Sequence, residues 1–482
     1  MVDRPDFLSS GDPARLIPVI ADSRREQRVT SVFLSTFAAI PSFCGSLMNS
    51  LGQRLGQRSV VDTFTEVVFA DASASNDRPD GLIRITTGGR TWYALVEAKI
   101  GKVVLDPEQV KRYAQLAKDY KIDAIITISN QFAARPDHSP VNIPKTLLKN
   151  VQLFHWSWKY ILTEAMLQQS QGLVADVDQA FILREFIRFI SHDSVGVTGF
   201  TQMPPEWRDL NELLKSGGVA RKSGPEVESV VNAWHQETKD VSLRLSRHLA
   251  TSCALKISKV HINDAARRLK DDCVQLSEKE NLSVEYLIPN AASTLGICVD
   301  LKAQAIRVGM TVDAPQDRQS GLARLNWLLR QIKHVDGDKR FIRIIWPGRT
   351  RDLVVPLKQL KDDPKTALSG FDQIPRAFEV FLIKDDGRRF AGRKTFIEDL
   401  ELAVPEFYDE IGQYMQEWRP KPPQPVSETE LEPVVAKEEK KPAEEVSPYN
   451  FQPTKPANLP SQGNNHTDLL EIPEFLSRFE KS

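Results

Sequence analysis

The sequence is poor in the features that define several classes of protein. Its four cysteines, Cys44, Cys253, Cys273 and Cys298, lie far apart with no Cys-x-x-Cys pair. That argues against a zinc site and a disulfide framework, and it fits a reducing compartment. None of the eight histidines stands at metal-ligand spacing from another. No apolar run approaches the roughly 20 residues of a spanning helix, so no membrane is expected. The N-terminus, Met1-Val2-Asp3-Arg4-Pro5-Asp6, has no basic region followed by an apolar stretch, which predicts a cytoplasmic location. Charge of one sign is also missing: 63 Lys/Arg face 64 Asp/Glu, for a net charge of -1. Within residues 1–160 the count is 20 Lys/Arg against 16 Asp/Glu, a surplus that permits a polyanionic partner without demanding one.

What is present is a chain of 482 residues, too long for one core, with the 41% hydrophobic and 26% charged residues of a globular protein. Residues 14–160 read as a mixed α/β unit. A helical pattern from about Ser23 to Ile40 precedes strand-like runs at Thr63–Phe69, Leu82–Thr86 and Thr91–Ala98. A second helical pattern covers Pro107–Asp119, and apolar runs follow at Ala124–Ile128 and Val151–Phe154. Residues 161–224 read as a helical connector. Residues 225–418 form a second, α+β unit of unassigned role, opened by a long helix and followed by five strand-like runs. Its basic runs, Lys339-Arg340 with Arg343, Arg349 and Arg351, and Arg388-Arg389 with Arg393-Lys394, are either a solvated face or a surface that grips a duplex. From 419 to 467 the chain turns to Pro, Glu and Lys, with 10 of the 30 prolines between 420 and 460, and is expected to be a disordered linker.

Chemistry concentrates in Pro79-Asp80, Gly88-Gly89 and Glu97-Ala98-Lys99. If Gly88-Gly89 is a two-residue hairpin loop, Thr87 pairs with Arg90, and counting outward sets Asp80 opposite Glu97. Opposed carboxylates repel, so something must compensate. Glu97 and Lys99 share a strand face, while Ala98 points away with Val96 and Ala94. Two carboxylates and an ammonium therefore converge, a set that would hold a hard divalent cation such as Mg²⁺ and let the lysine orient or deprotonate an attacking water.

These residues resemble the signature of the PD-(D/E)xK nuclease superfamily: Pro-Asp, a spacer, and (Asp/Glu)-x-Lys on adjacent strands. Gln109 and Tyr113, four apart on a helix, look like the Gln-x-x-x-Tyr element of its RecB-like branch. The resemblance covers about residues 14–160 and implies a restriction-endonuclease-like αβββαβ core. It also implies catalysis by Asp80, Glu97, Lys99 and Gln109, with Mg²⁺ or Mn²⁺ on Asp80 and Glu97, DNA as substrate, and Tyr113 at the substrate. The family often supplies a further acid from the helix before the first strand. Glu26 fits that place, although Ser23-x-x-Glu26 also reads as a capping box. Glu66 is the competing candidate. Restriction, repair or defence against foreign DNA are the roles implied. The alternative is a non-catalytic nucleic-acid-binding or interaction scaffold that keeps the fold.

The terminal segment 468–482 carries an apolar island, Leu469-Leu470-Glu471-Ile472-Pro473-Glu474-Phe475-Leu476. It resembles the recruitment peptide that ends the bacterial tubulin-like division GTPase, and a tethered peptide of this kind suggests docking to a protein partner. Truncation at Gly463 is expected to leave cleavage of naked DNA intact in vitro and to lower activity in cells. Equal cellular activity with and without residues 464–482 would reject a docking role.

Overall fold

A computed structural model describes residues 4–18, 24–70, 78–371, 373–385 and 387–420. The expected linker beyond 420, the terminal peptide and Ser23 of the expected capping box lie outside the described residues. The fold is mixed α/β, with two sheets.

The first unit opens with β1 (Leu8–Pro13), α1 (Arg25–Ala39) and α2 (Pro41–Ser50), then β2 (Val60–Phe69), β3 (Gly81–Thr87) and β4 (Arg90–Ala98). It continues with α3 (Pro107–Asp119), β5 (Ala124–Ser129), β6 (Gln152–Ser157), α4 (Trp158–Ser170) and α5 (Val177–Ser191). The six strands pair in chain order, antiparallel from β1 to β4 and parallel across β4, β5 and β6. Pro107 at the first turn and Asp106, whose side chain accepts from Glu108 N, start α3 at the position its pattern predicts. β5, Ala-Ile-Ile-Thr-Ile-Ser, is buried along its whole length, as a parallel strand covered on both faces must be. Gly88 and Gly89 turn the β3–β4 hairpin with φ of 53° and 83°, the doubly positive geometry that glycine adopts at little cost.

Two elements of this unit escape the periodicity. The pattern expected to end at Ile40 is followed by α2, which Pro41 restarts after a bend of 105°. β1 joins the sheet edge beside β2 across register shifts, and Glu66, at φ 53°, sits in the irregular stretch of β2. Among the described residues no single helix is long and apolar enough to cross a membrane; α1 and α2 meet that test only as a bent pair.

The second unit contains α6 (Glu206–Lys215), α7 (Pro225–Leu249), β7 (Ala254–Leu255), α8 (Lys259–Asn263), α9 (Ala265–Lys279), β8 (Asn281–Leu287) and β9 (Leu295–Asp300). It goes on with β10 (Ala305–Asp313), α10 (Gly321–Gln331), β11 (Arg340–Ile345), β12 (Leu353–Pro356), α11 (Leu357–Asp362), β13 (Ala377–Lys384), α12 (Gly387–Phe390) and α13 (Arg393–Glu410). Its antiparallel sheet runs β12-β11-β13-β10-β9-β8-β7. Residues 161–224, set apart by sequence as a connector, divide between two cores. Leu183, Phe186, Ile190 and Val197 pack with the first unit, whereas Met203, Trp207, Leu210 and Leu214 pack with the second.

Several cations of the basic runs of the second unit are engaged within it. Arg340 contacts Glu406 (2.8 Å) and Glu410 (2.6 Å), Arg343 contacts Glu379 (3.3 Å), and Arg389 contacts Asp399 (2.8 Å). Lys339 meets Asp385 (2.9 Å), and Arg393 Nε donates to Met203 O (2.6 Å). Charges held by their own carboxylates offer little net potential to a phosphate backbone, so Lys339, Arg340, Arg343 and Arg389 would add little to a duplex-gripping surface.

Cross-strand neighbours Glu97, Thr127 and His155 form one row over β4, β5 and β6. His155 is 2% exposed; its Nε2–H donates to Gln131 O (2.8 Å), and Nδ1 lies 3.0 Å from Thr127 Oγ1. Burial lowers its pKa from 6.5 to about 4 against the pull of the Gln131 carbonyl. The unfolded chain therefore takes up the proton first as pH falls, so this residue's contribution is intact above pH 6.5 and is lost towards pH 4. The loss amounts to about 3 kcal/mol at most, from ~1.4 kcal/mol per pKa unit. Denaturant melts at pH 7.5 and 4.5 should show wild type losing more stability than His155→Gln over that range; equal losses would contradict the assignment.

Candidate active site

The hairpin register places Asp80 where the spacing requires. Pairing runs from Thr87↔Arg90 to Gly81↔Val96, so the next position outward sets Asp80 against Glu97. The Asp80 carboxylate turns onto the partner strand, where Oδ2 accepts from Ala98 N (2.8 Å). Gly81 makes this end of β3 accessible to α1. A Cβ there would lie 2.5 Å from Leu34 Cδ1 and 3.0 Å from Phe64 O, so a larger residue would make the Leu34 side chain turn aside and crowd the Phe64 carbonyl.

Alternation along β4 divides its side chains as expected. Ala94, Val96 and Ala98 enter the core shared with α1, α4 and α5, and Leu95 enters the core shared with α3. Glu97 follows Leu95 by two residues and is 1% exposed. Lys99 extends the strand through a bond from its N–H to Ile128 O (2.8 Å), and Trp158 Nε1 donates to Lys99 O (2.9 Å). From that anchored backbone Lys99 Nζ reaches Glu97 Oε1 at 2.5 Å and Glu26 Oε1 at 3.1 Å.

Glu26, in the first turn of α1, thus joins the cluster, and the helix begins beside Arg24 with no side-chain cap bond. Its rival Glu66 is exposed in the irregular stretch of β2. Gln109 Nε2 donates to Tyr113 Oη (2.9 Å), and the Tyr113 hydroxyl lies beside Glu97. Tyr113, expected at the substrate, is 1% exposed, with its hydroxyl on the side of the Glu97 carboxylate. Gln109 accordingly acts on Glu97 through Tyr113.

Three carboxylates face one ammonium here. Burial first, then Glu97 and Glu26, push the Asp80 pKa well above the usual carboxyl range, with the Ala98 N–H and Lys99 opposing. Burial likewise raises Glu97, although Lys99 and Tyr113 pull it down. For Lys99, burial favours the neutral amine, but Glu97, Asp80 and Glu26 outweigh it and hold the ammonium above the ordinary lysine value. Glu97 Oε2 is buried without a hydrogen-bond partner. A surplus of oxygen anions with an unused buried oxygen fits a hard divalent cation, and Mg²⁺, which keeps several waters, needs only one or two protein carboxylates. Among the described residues, the one triad whose ligating atoms all lie within 4.8 Å of one another is elsewhere, at Glu237, Asp240 and Glu401.

No family model matches this chain, and no curated protein matches it.

In chelator, Asp80→Asn is expected to melt above wild type, because an amide oxygen still accepts from Ala98 N while the repulsion from Glu97 and Glu26 is gone. Asp80→Ala leaves that N–H unpaired, at a cost of about 1–3 kcal/mol, and should melt below Asp80→Asn. A carboxyl whose folded pKa is raised destabilises only once pH exceeds its ordinary value, so the gain from asparagine should be larger at pH 8 than at pH 5. Calorimetry that ranks alanine level with asparagine at pH 8 would refute this account.

Proposed function

We propose that this protein is a Mg²⁺- or Mn²⁺-dependent nuclease of the PD-(D/E)xK type that hydrolyses phosphodiester bonds of DNA. The observation that carries the reading is the convergence on Lys99 of Glu97 from its own strand and Glu26 from α1, with Asp80 opposite in the hairpin. Surface ion pairs rarely recruit three acids to one lysine, and a site that gathers excess buried negative charge at a strand end has a use for it.

Asp80 and Glu97 are the residues that would hold the ion. When bound, it supplies Lewis-acid stabilisation of charge on the phosphate oxygens. Lys99 stays an ammonium under the hold of its carboxylates, so it donates: it orients the attacking water and stabilises the negative charge of the five-coordinate phosphate. Here the general-base role considered for it gives way to the donor role. Glu26 positions the lysine, and Gln109 and Tyr113 fix the Glu97 side chain from the α3 side. The preference for DNA rests on the sequence resemblance alone, as do roles in restriction, repair or defence.

The test is cleavage of linear, circular and single-stranded DNA with Mg²⁺ and with chelator. Asp80→Asn and Glu97→Gln should abolish turnover while remaining folded. Lys99→Ala should lose at least about 100-fold in turnover, the usual cost of removing a donor aimed at developing charge. DNA affinity, measured in Ca²⁺ to block cleavage, should change little. Metal-dependent cleavage by both carboxylate variants would sink the assignment. Tight DNA binding by a wild type that never cleaves would favour the scaffold alternative.

A further inference from the structure

We propose that Glu237, Asp240 and Glu401 form a second binding site, for a hard divalent cation, separate from the Asp80 cluster. Glu237 and Asp240 stand three apart on α7, and Glu401 comes from α13. One carboxylate oxygen from each lies within 4.8 Å of the others. Like charges this close need a counter-charge, and the neighbours supply it unevenly. Asp240 Oδ2 accepts from Phe200 N (2.8 Å) and lies 3.6 Å from Arg244 Nε, and Arg244 Nη2 lies 2.6 Å from Glu401 Oε1. Arg247 sends its guanidinium to Thr163 Oγ1 (2.5 Å). Glu237 feels Arg244 only at a distance: it is 0% exposed, and neither of its oxygens has a hydrogen-bond partner. Asp240 Oδ1, also buried, has none either.

A fully buried carboxylate without a bonded partner is among the most costly groups to fold around, so it takes up either a proton or a cation. Three facts favour the cation. The unused oxygens of Glu237 and Asp240 belong to one cluster. All three donors are hard oxygens, with no thiolate or imidazole, which selects Mg²⁺, Mn²⁺ or Ca²⁺ over softer ions. A cavity of about 200 Å³, lined by Arg244, Glu401, His248 and Val404, opens onto Glu401 at the edge of the cluster. Arg244, its side chain 44% exposed, can turn to solvent as the ion enters. A cation there would tie α7 to α13.

The experiment counts ions on the full chain, using Mn²⁺ followed by electron paramagnetic resonance. Asp80→Asn weakens the first site in every sample, so the count does not depend on whether the protein is a nuclease. Asp80→Asn should bind a Mn²⁺ ion that Asp80→Asn/Glu237→Gln binds at least tenfold more weakly. Ca²⁺ should raise the melting temperature of the former and not of the latter. If the double variant loses its circular dichroism signal, Asp80→Asn/Glu401→Gln, altered at a less buried position, makes the same comparison. Equal Mn²⁺ binding with and without the altered carboxylate, or no Mn²⁺ bound by Asp80→Asn, would overturn the proposal and leave Glu237 as a neutral acid.

Discussion

Everything at the candidate active site depends on the register of one hairpin. A strand side chain alternates faces with each residue, so a slip of one position between β3 and β4 would carry Asp80 away from Glu97 and turn the Ile83, Ile85, Ala94 and Val96 core to the wrong side. Two constraints prevent the slip. The Gly88–Gly89 turn, with both φ values positive, admits one close pairing, and the Ala98 N–H bond to Asp80 Oδ2 locks the open end. The turn is local and the lock is polar, which makes the pairing independent of the fine packing of the core beneath it.

Around that register two helices contribute by different physics. α1 reaches the strand ends because Gly81 lets Leu34 approach, and its first turn then delivers Glu26 to Lys99. α3 works from the other face, where Gln109 and Tyr113 form a hydrogen-bonded pair against Glu97. The acid from α1 and the polar pair from α3 reach the Glu97–Lys99 unit from opposite sides of the sheet. Burial alone would drive these carboxylates to take up protons, and the single ammonium only partly offsets it. An arrangement that keeps such a surplus is suited to bind something positive.

Much of this was legible in the sequence because the signals were short-range. The start of α3 follows from Asp106 and Pro107, the register from two glycines, and the shared face of Glu97 and Lys99 from a period of two. What stayed hidden depended on contacts between distant segments. α2 begins directly after α1, and a continuous helical pattern does not mark the bend that Pro41 imposes. Glu26 read equally well as a capping residue, and only the approach of α1 to Lys99 separates the roles. Arg340 looked like part of a cationic surface because the acids that pair with it, Glu406 and Glu410, lie 66 and 70 residues further along the chain. Glu237 and Asp240 look like ordinary charged positions on a long helix until Glu401 arrives from 161 residues after Asp240.

The two units are joined by polar contacts, and these lead back to Lys99. α4 packs along α7. Across that contact Arg247 donates to Thr163, and Lys239 lies 5.6 Å from the centre of the Tyr160 ring. Burial draws the Lys239 ammonium down to about 8, with Glu164 opposing. Glu164 in turn accepts from Ser46 on α2. Partly buried charges of this kind contribute little net stability, since desolvation offsets most of the attraction, but a misplaced one is heavily penalised. They therefore fix how α7 seats on α4 more than how tightly it does so. The same helix α4 begins with Trp158, whose indole N–H holds the carbonyl of Lys99. The element that receives α7 on one side thus braces the backbone of Lys99 at its own first turn, so the seating of the second unit and the placement of the ammonium share a single rigid support.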